Sequence, residues 1–170
     1  MGIPSTYPRT YTDVNETGCC AVPDVSAWDR RTIELDQRFI RRYTRSLLHI
    51  PMNMGGVMTA LQAEAAAAGA TMPADHGMVL SHDLSAWRAE QLYAVSAPVE
   101  GADTVVLAGT FVTRVFEGPY GRAGEWHEGI VEYARSLGRE VSDVYFFYTT
   151  CPTCAKHYGA NYVIVLGRLA

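Results

Sequence analysis

At 170 residues, with 48% hydrophobic and 19% charged side chains, the chain has the size and composition of one globular domain able to bury a core. A net charge of -4, from 14 Lys and Arg against 18 Asp and Glu, speaks against a phosphate backbone or an anionic membrane surface, so neither nucleic acid nor membrane is expected as a partner. No long apolar run and no basic-then-apolar leader occurs, which points to a cytoplasmic protein whose 4 cysteines are metal ligands or redox thiols rather than a disulfide framework.

Residues 1–30 carry Pro4, Pro8 and Pro23 without sustained periodicity and read as an extended arm wrapping a single domain, 31–170. The vicinal pair Cys19-Cys20 lies in that arm. Residues 32–50 read as extended, with 43–49 the central part and Pro51 a stop; the basic cluster Arg38, Arg41, Arg42, Arg45 reads as a solvated face. A helix is predicted over 53–68, capped by Asn53 and ended by Gly69. Strands are predicted at 78–81 and 91–97, then a long β-branched strand at 104–116 closed by the turn residues Gly118, Pro119 and Gly121. A second helix over 125–137 aligns Trp126, Ile130, Tyr133 and Leu137 on one side and stops at Gly138. Final strands are predicted at 144–149 and 162–166.

An offset of 69 residues pairs Thr44-Arg45 with Thr113-Arg114, Gly55 with Gly124, Ala65 with Ala134 and Gly69 with Gly138. Two of these glycines bracket each helix, where helix punctuation is physically required. The expected fold is therefore α+β: duplicated β-α-β-β halves, about 40–98 and 104–170, forming an antiparallel sheet with two helices on one face and a cleft between the halves.

The passage FVTRVFEGPYGRAGEWHEGIVEYARSLG at 111–138, with Phe116-Glu117-Gly118-Pro119-Tyr120, Trp126 and Gly138, resembles the GyrI-like small-molecule-binding domain. The phrase YFFYTTCPTCAKHYGANYVIVL at 145–166 is similar to a narrower bacterial subgroup described as hydrolases. The resemblance covers roughly 40–170. It implies a pocket between the halves, walled by aromatic residues and used for hydrophobic or cationic drug-like molecules, with a role in resistance. It also implies that some stand-alone members hydrolyse strained, electrophilic compounds with an acidic residue beside aromatic walls. Where effector-binding members present a glutamate on the penultimate strand, this chain reads Tyr145-Phe146-Phe147-Tyr148.

Glu117 closes an apolar strand before a glycine-rich turn, and a carboxylate beside Phe116, Tyr120 and Trp126 suits acid or base work. Tyr145 and Tyr148 fall on opposite faces of one strand, paired with Phe147 and Phe146 respectively, so one pair faces a given pocket. His49 ends the first strand near the cleft, while His76 and His82 lie in loop-like surroundings and His127 on a helix surface. Met52, Met54 and Met58 offer an adaptable wall. Cys151-Pro152-Thr153-Cys154 follows a strand; with Cys19 and Cys20 it can complete a four-thiolate zinc site, His157 being the substitute ligand. No phosphate-binding glycine loop, GxSxG or HExxH occurs, so no nucleotide cofactor is expected.

Three functions compete: a hydrolase-like enzyme on a small apolar reactive molecule, a non-catalytic sequestering protein with the same pocket, and a thiolate metal or redox protein. The enzyme is preferred, acting as a monomer or homodimer. Its catalytic candidates are Glu117, Tyr145, Tyr148 and His49. Its ligand wall would be Phe116, Tyr120, Trp126, Met54 and Phe147.

Overall fold

The computed structural model describes residues 7–48, 50–52 and 54–170; the expectations for His49 and for Asn53 as a cap lie outside the described residues. Elements follow as β1 (Arg31–Leu47), β2 (Ile50–Pro51), α1 (Met54–Ala67), β3 (Val79–Ser85), β4 (Arg88–Ala94), β5 (Thr104–Glu117), α2 (Ala123–Ser136), β6 (Val141–Tyr148), α3 (Pro152–Tyr158) and β7 (Tyr162–Leu169). The sheet order is β2-β1-β4-β3-β6-β7-β5, every pairing is antiparallel, and β5 returns to β1. Six long strands therefore close into a barrel built of two successive β-α-β-β units, the α+β class expected from the sequence.

The two units meet along unequal seams. β1 and β5 pair from Arg31↔Thr113 to Ile40↔Thr104, whereas β3 and β6 pair only at Ser81↔Phe146. Closure removes the free edges that an open six-stranded sheet would present.

Period-two alternation decides what faces inward. Ile33, Leu35 and Phe39 of β1, Leu80 of β3, Leu92 of β4, Phe111 of β5, Tyr145 and Phe147 of β6 and Ile164 and Leu166 of β7 fill the barrel. The outward residues are covered by helices. Ala-rich α1 lays Leu61 and Ala65 on Ile40, Val95 and Val99. On the second unit α2 lays Trp126, Ile130 and Ala134 on Val112, Val144, Val163 and Val165. Each fully buried large side chain of this kind stabilises by about 1.5–3 kcal/mol. Both helices thus cover the outer face of the sheet.

Local differences from the sequence reading have physical causes. The buried stripe of α2 is 126-130-134, at i, i+4, i+8; the helix ends at Ser136, and Leu137 is 48% exposed. The hairpin of β3 and β4 reaches further than expected, to Ser85 and Arg88, because strand pairing holds these polar positions where no apolar alternation marks them. His82 consequently lies within a strand, not in a loop. After β6 the chain has room for a two-turn helix, α3, with Pro152 at its first turn and Gly159 in the left-handed region at φ 74°. Among the described residues no helix is long and apolar enough to cross a membrane.

Candidate functional site

Residues 7–30 carry no long strand yet supply core. Trp28 is 1% exposed inside the barrel end, its indole N–H donating to the Arg9 carbonyl at 3.0 Å, and the Tyr7 ring lies 6.0 Å from it. Thr113 donates its hydroxyl to the Trp28 carbonyl. Tyr7 and Tyr11 donate their phenols to the carbonyls of His76 and Thr149, each at 2.7 Å. One end of the barrel is therefore plugged.

The arm then turns back on itself. Thr12 N–H donates to Val22 O and Val22 N–H to Val14 O, both at 2.8 Å, leaving residues 15–20 as a protruding tip. Gly18, at φ 73°, lets the tip turn while its N–H donates to Asn15 Oδ1 at 2.9 Å. Tyr158 of α3 clamps this tip, accepting from Glu16 N–H at 3.0 Å and donating to Cys20 O at 2.8 Å. The result brings together thiols far apart in the chain. The Sγ atoms of Cys19, Cys20, Cys151 and Cys154 all lie within 4.8 Å of one another. Cys19 and Cys20 sulfurs are 3.7 Å apart, the Cys151 N–H donates to Cys20 Sγ at 3.5 Å, and Thr17 Oγ1 is 3.2 Å from Cys154 Sγ. The Thr17 hydroxyl, then Cys151 and Cys20, bring the Cys154 thiol down to about 7, whereas burial pushes Cys20 up. His157 faces away, with Nε2 3.9 Å from a Glu16 carboxylate oxygen.

The other predicted site residues divide between two faces. Tyr145 and Phe147 point into the barrel, and Phe146 and Tyr148 point outward beneath α2. Outside, Phe116 stacks on buried Trp126 at 6.1 Å, and Tyr120 meets the Tyr148 ring edge-on at 5.4 Å and donates its hydroxyl to Thr150 O at 3.1 Å. Glu117 is exposed. With Phe116, Val115 and Tyr162 it lines an open depression of about 370 Å³ against Val25, Ser26 and Asp29 of the arm. Met54 is half-buried at the start of α1, and Met52 is exposed.

One constellation was not legible in the sequence as a group. His82, Glu90, Asp143 and Tyr145 come from β3, β4 and β6 and converge at the end of the barrel opposite Tyr7 and Trp28. The parity shared with buried Leu80 and Leu92 is the signal that could have found His82 and Glu90.

The bacterial hydrolase family model matches residues 10–169, a span that includes the arm tip, both halves and the CPTC segment. The chain belongs to the bacterial hydrolase family. No curated protein matches it. Among solved structures, an uncharacterized conserved protein from Listeria innocua aligns at a TM-score of 0.59 and 11% identity, covering 85% of this chain and 94% of that one. A hydrolase from Listeria innocua aligns at 0.59 and 13%, with 85% and 94% covered. The C-terminal domain of EcmrR aligns at 0.62 and 12%, with 84% and 98% covered. At such identities these likenesses establish a shared fold for this hydrolase-family chain.

Proposed function

We propose that the chain is a small-molecule hydrolase of GyrI-like type, acting on an apolar, reactive molecule where the two halves meet, and that Cys19, Cys20, Cys151 and Cys154 hold a zinc ion. The thiol tetrad carries the zinc reading. Zn–S bonds of about 2.3 Å separate tetrahedral thiolates by about 3.8 Å, and four sulfurs already gathered within 4.8 Å need little movement to reach that. Four thiolates in so small a space repel one another unless a cation sits among them, and soft sulfur donors favour zinc over calcium or magnesium. With all four positions filled by protein, the ion is structural. It ties the arm tip to α3 across the separation of 131 positions from Cys20 to Cys151.

Membership of the bacterial hydrolase family supports the hydrolytic reading. Within it, Glu117 is the acid assigned to the arm end, where Phe116 and Tyr162 line the depression beside it. Glu117→Gln tests that assignment by loss of turnover.

Elemental analysis of protein purified without added metal tests the zinc. One zinc per chain, with thiols that titrate only after chelation, is expected. Closing a loop of this length contributes on the order of 5 kcal/mol if the tie behaves as a cross-link, so chelation should lower the melting temperature by at least 10 °C. Four freely titratable thiols with metal well below one per chain would overturn the proposal.

A further inference from the structure

Among the described residues, Tyr7 and Trp28 plug one end of the barrel. At the other, the inward-facing positions change from apolar to polar. Strand register places Tyr43 of β1 opposite Glu90 of β4, and Glu90 opposite His82 of β3. Across the narrow seam, the Tyr145 ring of β6 lies 4.6 Å from the His82 ring, and Asp143, two residues away on the same face, pairs with Arg168 of β7. This is a single inward row spanning both halves.

His82 sits between two carboxylates. Its Nδ1 is 2.8 Å from Glu90 Oε1, and its Nε2 is 3.5 Å from Asp143 Oδ1. The side chains are 18%, 12% and 38% exposed for His82, Glu90 and Asp143, so the group is shielded yet reachable from solvent. A carboxylate accepting from Nδ1–H fixes the ring orientation and leaves the Nε2 lone pair as a base. The Nε2 to Asp143 spacing, at the limit of a direct hydrogen bond, lets Asp143 stabilise the imidazolium formed when Nε2 takes a proton. Arg41 reaches Glu90 at 3.5 Å and Asp103 at 3.0 Å. Burial raises the Tyr145 phenol above its usual range, which keeps its O–H available as a donor near neutrality.

We propose that His82, Glu90, Asp143 and Tyr145 form a hydrolytic site at the polar end of the barrel for small, neutral carboxylic esters or lactones. This rests on the hydrolase reading above and adds to it a second hydrolytic site, at the seam of the halves and separate from Glu117. The substrate class follows from the lining. Glu90, Asp143 and Asp103 are matched by Arg41, Arg88 and Arg168, so no net charge selects an ion. Tyr43, Leu84 and Trp87 at the rim, 43%, 46% and 58% exposed, can receive an apolar body. Ser81, the serine next to His82, points to the opposite face and donates to Gln91 at 2.5 Å, so it is not the nucleophile, and that role goes to water.

The step balances. His82 Nε2 removes a proton from water as the water oxygen bonds to the acyl carbon. The carbonyl π pair moves to oxygen, where Tyr145 O–H donates to it. Collapse reforms the carbonyl and breaks the bond to the alkoxide oxygen, which takes the proton from Nε2. Water and ester become acid and alcohol.

Zinc-loaded protein assayed with p-nitrophenyl butyrate and with dihydrocoumarin tests this. His82→Ala should lower kcat/KM by about 100-fold or more, and His82→Gln, which secures folding by keeping polar contacts, by a similar factor. Added imidazole should restore His82→Ala at least tenfold, which a merely structural histidine would not show. Glu90, a positioning residue, should lose kcat by about tenfold on Glu90→Gln with KM unchanged. If wild type turns over the probes and both His82 variants retain the rate, the site is wrong while the hydrolase reading stands. If wild type turns over neither probe, the ester site falls, while the hydrolase reading is decided separately by the Glu117→Gln assay.

Discussion

Trp28→Ala tests the claim that the arm belongs to the core of the barrel. The side chain is 1% exposed, contacts Tyr7 and sits among the buried residues that fill the interior. Removing so large a ring costs about 3–5 kcal/mol through lost burial and the cavity left behind. Trp28→Phe keeps most of the ring but strips the Arg9 carbonyl of its 3.0 Å donor, for about 1–3 kcal/mol. With a urea m-value of about 2 kcal/mol/M, the midpoints should fall by about 1.5–2.5 M and about 0.5–1.5 M respectively. Urea unfolding followed by far-UV circular dichroism reads both shifts. A fall of less than about 0.5 M for Trp28→Ala, with one cooperative transition, would show that the arm is an appendage and refute the reasoning.

Gly167→Ala should lower the melting temperature by about 3–8 °C, since a Cβ there would lie 3.1 Å from Ile130 Cγ1 and from Val141 Cγ2 and 3.5 Å from Val112 Cγ2. An unchanged or higher value would mean that α2 does not press on β7. Alkaline pH should also weaken the fold, because burial raises the phenols of Tyr7, Tyr11 and Tyr148, the last to about 12. Unfolded, each titrates near 10, so the stability they contribute is whole below pH 10 and is lost as pH rises through the folded values. Each phenol can remove at most about 1.4 kcal/mol per pH unit over that window. The urea midpoint should be level from pH 8 to 9.5 and decline by pH 11.5; a flat profile throughout speaks against buried phenols.

Much of the architecture was legible. Gly69 and Gly138 end α1 and α2 as their left-handed conformations require, at φ 63° and 72°, and the β-branched run beginning at Thr104 is β5. The gathering of Cys19 and Cys20 with the CPTC motif was legible as one option beside redox or buried thiols, because two thiols need two further donors to complete a tetrahedral site. Leu137 was not, since a helix pattern does not say at which turn burial stops. Nor was the inward orientation of Tyr145 and Phe147: alternation defines two faces without naming the one that meets the core.

Composition, periodicity and glycine placement thus determined that this chain makes two similar β-α-β-β units with two covering helices, because these are local preferences of the backbone and of apolar spacing. Closure of the barrel, the plug of Tyr7 and Trp28, and the meeting of His82, Glu90 and Asp143 were decided only by tertiary structure. Each depends on strand register between segments distant in sequence, as in Glu90↔His82 and Arg31↔Thr113. A shift of one residue in either pairing would turn these side chains to the opposite face.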